Sequence, residues 1–238
     1  MTLIRTLLVT IVWFGVAQAH SAAIFSQSPP VATGGYKSDF AFNFVNQQAQ
    51  QFSLGSDTAI QAVVAWGAYA AGAPADNFTI RVFADTGGGA PEVLPVVDLP
   101  SVAVVREDTG GLELGLNPIY KYTFNLVAPI NLLASTTYYL SVVNNTSDAQ
   151  SWSWVEAAAT NNERWDRAAD GDAWFTPQPG NVAFELHDAP IIIQPPTPPQ
   201  PQPPQSFSPR EVPLMPVGLL GGLVFALIVI ARRFIKSR

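Results

Sequence analysis

Aromatic and aliphatic residues recur at every second position along much of this chain. Phe40, Phe42 and Phe44 alternate with other residues, as do Phe78, Ile80 and Val82, then Tyr120, Tyr122 and Phe124, then Tyr138, Leu140 and Val142, and finally Val182, Phe184 and Leu186. Successive side chains of a strand point to opposite faces, so each run reads as a strand with one apolar face. Further strands are expected at residues 60–66, 102–105 and 151–155. Turn-forming residues separate them: Ala73-Pro74-Ala75-Asp76, Thr86-Gly87-Gly88-Gly89, Thr109-Gly110-Gly111, Asn144-Asn145 and Asp170-Gly171-Asp172. No segment carries the 3.6-residue repeat of an amphipathic helix of three turns. Short strands with one apolar face each need a second sheet to cover that face. The expected fold is all-β, a two-layer antiparallel β-sandwich of jelly-roll type over residues 20–189.

Charge and cysteine content remove several classes of function. Between His20 and Pro190 there are six basic residues (Lys37, Arg81, Arg106, Lys121, Arg164 and Arg167) against seventeen acidic ones, a balance of −11. Such a body repels phosphate backbones, which argues against nucleic acid as a partner. The chain has no cysteine, so disulfides, thiol nucleophiles and cysteine-ligated metals are excluded.

The two ends read as addresses. Residues 1–19 hold one charge, Arg5, then an apolar run over residues 7–16, then Ala17-Gln18-Ala19. A positive start, a core too short to span a bilayer and small residues at the −3 and −1 positions make a secretory signal peptide, cleaved before His20. Residues 212–231 form an uncharged stretch followed by Arg232, Arg233, Lys236 and Arg238. As a helix it reaches about 30 Å, the thickness of the hydrocarbon core, and the basic cluster keeps its C-terminal end in the cytoplasm. One C-terminal transmembrane helix is therefore expected, with the body outside the cytoplasm and the membrane as a partner. Between body and helix, residues 190–210 are rich in Pro and Gln. Proline fixes φ and removes a donor, so this stretch is expected to run as an extended polyproline stalk.

A short motif, an apolar helix and a terminal basic cluster together resemble the PEP-CTERM class of C-terminal sorting signals of Gram-negative bacteria. Val212-Pro213-Leu214-Met215-Pro216 is similar to the variants of that class that begin Val/Ile-Pro-Thr-Leu or Val-Pro-Leu-Pro-Ala. The resemblance implies recognition by an exosortase-type membrane transpeptidase at residues 211–238 and delivery to the cell surface or extracellular matrix. A plain membrane anchor is the alternative. A second resemblance runs through Ala65-Trp66-Gly67-Ala68-Tyr69, Asp76-Asn77-Phe78-Thr79-Ile80-Arg81-Val82-Phe83-Ala84-Asp85, Thr137-Tyr138-Tyr139-Leu140-Ser141-Val142 and Trp152-Ser153-Trp154. These segments are similar to β-sandwich ectodomains that accompany such tails and have no assigned catalytic activity.

Motifs for chemistry are sparse. There is no Gly-x-Ser-x-Gly, His-Glu-x-x-His, Gly-x-x-x-x-Gly-Lys or Gly-x-Gly-x-x-Gly, and His20 and His187 are the only imidazoles. No cofactor is expected. Glu107, Asp108, Glu113, Glu156, Glu163 and Asp166 are the carboxylates from which a glycosidase pair would have to come. Asp166, Asp170 and Asp172 could offer oxygens to calcium, although Asp-Gly-Asp is also an ordinary turn. Trp152, Trp154, Trp165 and Trp174 are the aromatic lead, since flat indoles stack on sugar faces. Buried core is the competing reading for each of them. The leading expectation is a non-catalytic, exported sandwich with a structural or adhesive role. A carbohydrate-binding module for extracellular polysaccharide comes second and a glycan hydrolase third.

Overall fold

The computed structural model describes residues 22–29, 34–40, 47–70, 76–114, 116–145, 150–158 and 162–193. The signal-peptide residues with Ala17, Ala19 and His20, the sorting motif, the apolar stretch and the basic tail lie outside the described residues. So do Phe42, Phe44 and the turn at residues 73–75. The described residues all belong to one compact unit that ends at Ile193.

Thirteen strands follow in order: β1 (Phe25–Gln27), β2 (Gly35–Lys37), β3 (Gln47–Ser53), β4 (Thr58–Tyr69), β5 (Phe78–Ala84), β6 (Val97–Val102), β7 (Val105–Glu113), β8 (Asn117–Leu132), β9 (Thr137–Asn144), β10 (Trp152–Ala157), β11 (Arg164–Arg167), β12 (Asn181–Val182) and β13 (Phe184–His187). They make two antiparallel sheets, and no α-helix occurs among the described residues. The eight-stranded sheet runs β1-β13-β4-β10-β12, with β2 also on β10, β8 on β4 and β7 on β8. The five-stranded sheet runs β11-β3-β9-β5-β6.

The alternation explains how the sheets meet. Phe78, Ile80 and Val82 of β5 and Leu140 and Val142 of β9 face Val63, Ala65, Tyr122, Phe124, Trp152, Trp154 and Phe184 of the opposite sheet in one buried cluster. Phe78 sits at its centre, with ring centroids 5.0 Å from Tyr122, 5.2 Å from Phe124 and 5.1 Å from Trp152. The contacts to Phe124 and Trp152 are edge-to-face, the arrangement the ring quadrupole favours. Gly67 of β4 makes room for this packing, because a Cβ there would lie inside the Trp152 indole.

Two sequence expectations are corrected. The strand expected at residues 102–105 is a junction: β6 ends at Val102 in one sheet and β7 begins at Val105 in the other. Thr109-Gly110-Gly111 is not the turn of a hairpin but a kink inside β7. The register with β8 shifts between Asp108 and Leu112, and Gly110 takes a left-handed φ of 71°. The chain reverses instead at Leu116, whose N–H donates to the Glu113 carbonyl at 2.9 Å.

Not all of the space between the sheets is apolar. Arg164 and Asp166 of β11 pair with Gln50 and Gln48 of β3 and turn their side chains inward with them. The Arg164 guanidinium lies 3.6 Å from the centre of the Tyr36 ring and donates to Asp166, to Gln48 and, at 3.2 Å, to the Pro179 carbonyl. Gln50 donates to Asn181 at 3.1 Å and accepts from the Val182 N–H at 3.0 Å. This polar margin ties β11 and β3 to β2 and β12 of the facing sheet.

Candidate functional site

Three of the four tryptophans are placed by strand parity, and Trp174 lies in the segment between β11 and β12. Trp152 and Trp154 share a face of β10, and that face is the inner one. Both are 0% exposed, and Trp154 Nε1 donates to the Ala183 carbonyl at 2.7 Å. An indole without open surface cannot stack on a sugar, so these two are removed from the sugar-platform reading. Trp165 points to the outer face of the five-stranded sheet, yet is only 8% exposed, packed with Ala49, Phe83 and Tyr139. It too offers no platform. Trp174 is half-buried over Phe83, edge-on at 5.1 Å, and donates through Nε1 to the Glu92 carbonyl at 2.9 Å. Its ring is also occupied, with the Arg167 guanidinium 4.5 Å from its centre.

Four of the six candidate carboxylates are likewise engaged through their side chains, Asp108, Glu113, Glu156 and Asp166, while Glu107 and Glu163 are placed by their backbones. Glu156 accepts from the Tyr36 hydroxyl at 3.2 Å, and Glu113 accepts from Asn117 at 3.1 Å. Asp108 accepts from the Gly110 N–H at 2.8 Å, and Glu107 faces Lys121 in register across β7 and β8. Glu163 receives the Gln51 N–H on its carbonyl at 2.8 Å. His187 lies 3.3 Å from Glu185. The proposed calcium ligands separate: Asp166 turns inward to Arg164, while Asp170 turns outward to two other arginines. No group of three or more His, Cys, Asp or Glu that could hold a metal occurs among the described residues, so the calcium reading of Asp166, Asp170 and Asp172 is dropped.

Those two arginines form a site that the sequence did not announce. Arg81 of β5 and Arg167 of β11 project from the outer face of the five-stranded sheet, where the residues 93–95 and the turn at Asp170 and Gly171 rise beside them. Arg81 grips Asp170 with both terminal nitrogens, at 2.7 and 2.8 Å, and donates from Nε to Asp98 at 3.0 Å. Arg167 donates to Asp170 at 3.0 Å, to Gln47 at 2.7 Å and to the Val93 carbonyl at 2.9 Å. Gln47 returns a bond to Asp170 at 2.6 Å. Aromatic faces back both cations, Phe40 for Arg81 at 5.2 Å and Phe83 for Arg167 at 5.0 Å.

Burial holds the Arg167 guanidinium below its ordinary range, against the pull of Asp170. A guanidinium stays protonated all the same, so fixed positive charge lies at the base of the site. The carboxylates are placed differently: the Asp98 and Asp170 side chains are 49% and 48% exposed. Together with Val93, Leu94, Pro95 and Gly171 they line a cleft of about 160 Å³. Asp170 was flagged by its turn motif as a calcium ligand, and the structure places it instead between two arginines. Arg81 carried one sequence signal, a cation inside an apolar strand, which requires a partner. No protein-family model, no curated protein and no solved structure matches this chain.

Proposed function

We propose that this chain is an exported, surface-displayed and non-catalytic β-sandwich of jelly-roll type, sorted or anchored through a C-terminal membrane helix, with a structural or adhesive role in the envelope or extracellular matrix. The jelly-roll reading is supported by the way the chain passes repeatedly between the sheets, from β3 to β4 to β5 and from β8 to β9 to β10 to β11. The display reading rests on the signal peptide, the proline-rich stretch and the apolar segment with its basic end.

One structural observation carries it further. The Asn125 side chain brackets Ile191, donating to its carbonyl at 3.0 Å and accepting its N–H at 2.8 Å. Gln61 donates to the Asp188 carbonyl at 2.8 Å. The body therefore holds its own exit segment against β4 and β8. Behind that hold, β13 lies between β1 and β4, with ladder bonds on both sides. Tension along the C-terminal segment loads those bonds together in shear rather than one at a time, which suits a domain hung from that end.

Intact-mass analysis of the protein extracted from the cell surface tests the reading. Loss of residues 1–19 and of the tail supports transpeptidase sorting, and a processed species that keeps Arg238 supports a plain anchor. A full-length chain recovered only from cytosol overturns the proposal. Asn125→Ala supplies a second measurement, because freeing Ile191 should speed proteolysis near residues 190–193 while the melting temperature of the body stays nearly unchanged.

A further inference from the structure

We infer that the cleft of Arg81, Arg167, Asp98 and Asp170 binds a neutral polyhydroxylated ring, one hexose unit of a glycan. The inference is independent of the sorting route and of the tryptophans.

Charge selects the class of ligand. Two guanidiniums and two carboxylates line the cleft, so its lining is neutral in sum. An anion gains no net field from cations that Asp170 and Asp98 already neutralise, in a body with a balance of −11. A cation meets the reverse: each carboxylate is already paired in charge with a guanidinium, so no net negative charge draws it to the cleft. What remains is hydrogen-bonding capacity of both kinds. Each guanidinium has five N–H groups, and three on each are used; the Arg167 side chain is 1% exposed and serves as support, so the donor edge left at the cleft is that of Arg81, 8% exposed, flanked by the two carboxylates. On the acceptor side, Asp98 receives one bond, at Oδ1, and Asp170 Oδ2 receives one, from Arg81. Donors and acceptors thus alternate across a short distance. A hydroxyl is both donor and acceptor, so neighbouring hydroxyls on one ring can bridge a guanidinium and a carboxylate together.

The wall supplies the other half of sugar recognition. Val93, Leu94 and Pro95 carry no charge, and Leu94 is 73% exposed at the rim. The C–H face of a pyranose can lie against them while its hydroxyls turn toward the polar floor. The arginines are held in advance by Gln47, by the Val93 carbonyl and by three aromatic rings, so little ordering remains to be done on binding. At about 160 Å³ the cleft has room for one ring, which points to a chain end or a side branch of a neutral polysaccharide.

Calorimetric titration of the full-length protein, held in a detergent with no sugar headgroup, is the test. D-glucose, D-galactose and D-mannose are the neutral probes, with D-glucuronate and D-glucosamine as charged comparators. At least one neutral hexose should bind with a Kd of about 1 mM, and the charged analogues about tenfold more weakly. Asp98→Ala should weaken binding about tenfold, since a charge-assisted acceptor is lost. Leu94→Gly should weaken it a few-fold, and both positions are exposed enough for the variants to fold, checked by melting temperature. Absence of binding by all three hexoses overturns the inference, as do glucuronate binding as tight as the best hexose and affinity unchanged in both variants. Oligomers of the best hexose distinguish the source. Equal affinity per chain end assigns a cleft that reads ends or branches, whereas a large gain with length overturns the one-ring assignment.

Discussion

The space between the two sheets holds two unlike interiors. Around Phe78 it is dry and aromatic, with Tyr122, Phe124, Trp152 and Trp154 closing on one another. Along β11 and β3 it is polar, with Arg164, Asp166, Gln48 and Gln50 also buried. The first region stabilises by removing apolar area from water. The second gains little from burial, because desolvating Arg164 and Asp166 offsets most of what their attraction returns. Burial lowers the Arg164 guanidinium from its ordinary range and raises the Asp166 carboxyl, each opposed by its partner. In both, burial opposes the charged form and the partner supports it. The polar margin must serve another end, and its partners show which: every bond has one geometry, so together they fix where β11 and β3 sit against β2 and β12.

The largest effect that would sharpen this contrast is Phe78→Ala. With the centre of the aromatic cluster removed, unfolding free energy should fall by about 3–5 kcal/mol, read from the urea midpoint. A loss under about 1 kcal/mol would mean that the cluster collapses to fill the hole, and the division drawn above would fail. Next comes Arg164→Ala, which strands Asp166 and Gln48 in the interior and should cost about 3 kcal/mol. Replacing both partners, Arg164→Met with Asp166→Leu, should recover most of that loss. A double variant as unstable as the single one would show that the pair is itself stabilising.

The smallest effect is a pH slope. Asp166 has its folded pKa raised by burial, so the folded state holds its proton more tightly than the unfolded one. Its contribution to stability is therefore fully present at pH values below the ordinary carboxylate range and lost as pH rises through the raised folded value. That slope is opposite to the acid destabilisation expected of a carboxylate stabilised by its partner. Asp166→Asn should remove it, visible as a difference between the two proteins' melting temperatures across the acidic range.

The aromatic interior was legible in the sequence and the polar margin was not, for a physical reason. Runs such as Phe78, Ile80 and Val82 announce a strand because apolar and other residues separate onto two faces. In β3, Gln47, Gln48, Ala49 and Gln50 are all buried, and in β11 the whole segment Arg164–Arg167 is buried, so neither shows any alternation. These strands are held by side chains that satisfy one another across the fold, and several of the partners are more than a hundred residues apart in the chain, as in Arg164 with Gln48 and Gln50 with Asn181. The tryptophan pair shows the limit from the other side. Parity placed Trp152 and Trp154 on one face, but nothing in the sequence said that the face was inner. Of the cleft, the turn at Asp170 and Gly171 was visible as a turn, while its function as the clasp of Arg81 and Arg167 depended on loops that only the fold brings together.

The position of β13 has a bearing on how such a molecule is made. A chain made from its N-terminus delivers β1 early and β13 last among these strands. The one strand on which β1 pairs is β13, and β13 fills the gap between β1 and β4. The eight-stranded sheet stays incomplete until residues 184–187 have been made, so the barrier to folding is topological and coincides with completion of nearly the whole body. A molecule wired in this way remains open while it is being made and locks only when its last strand is in hand.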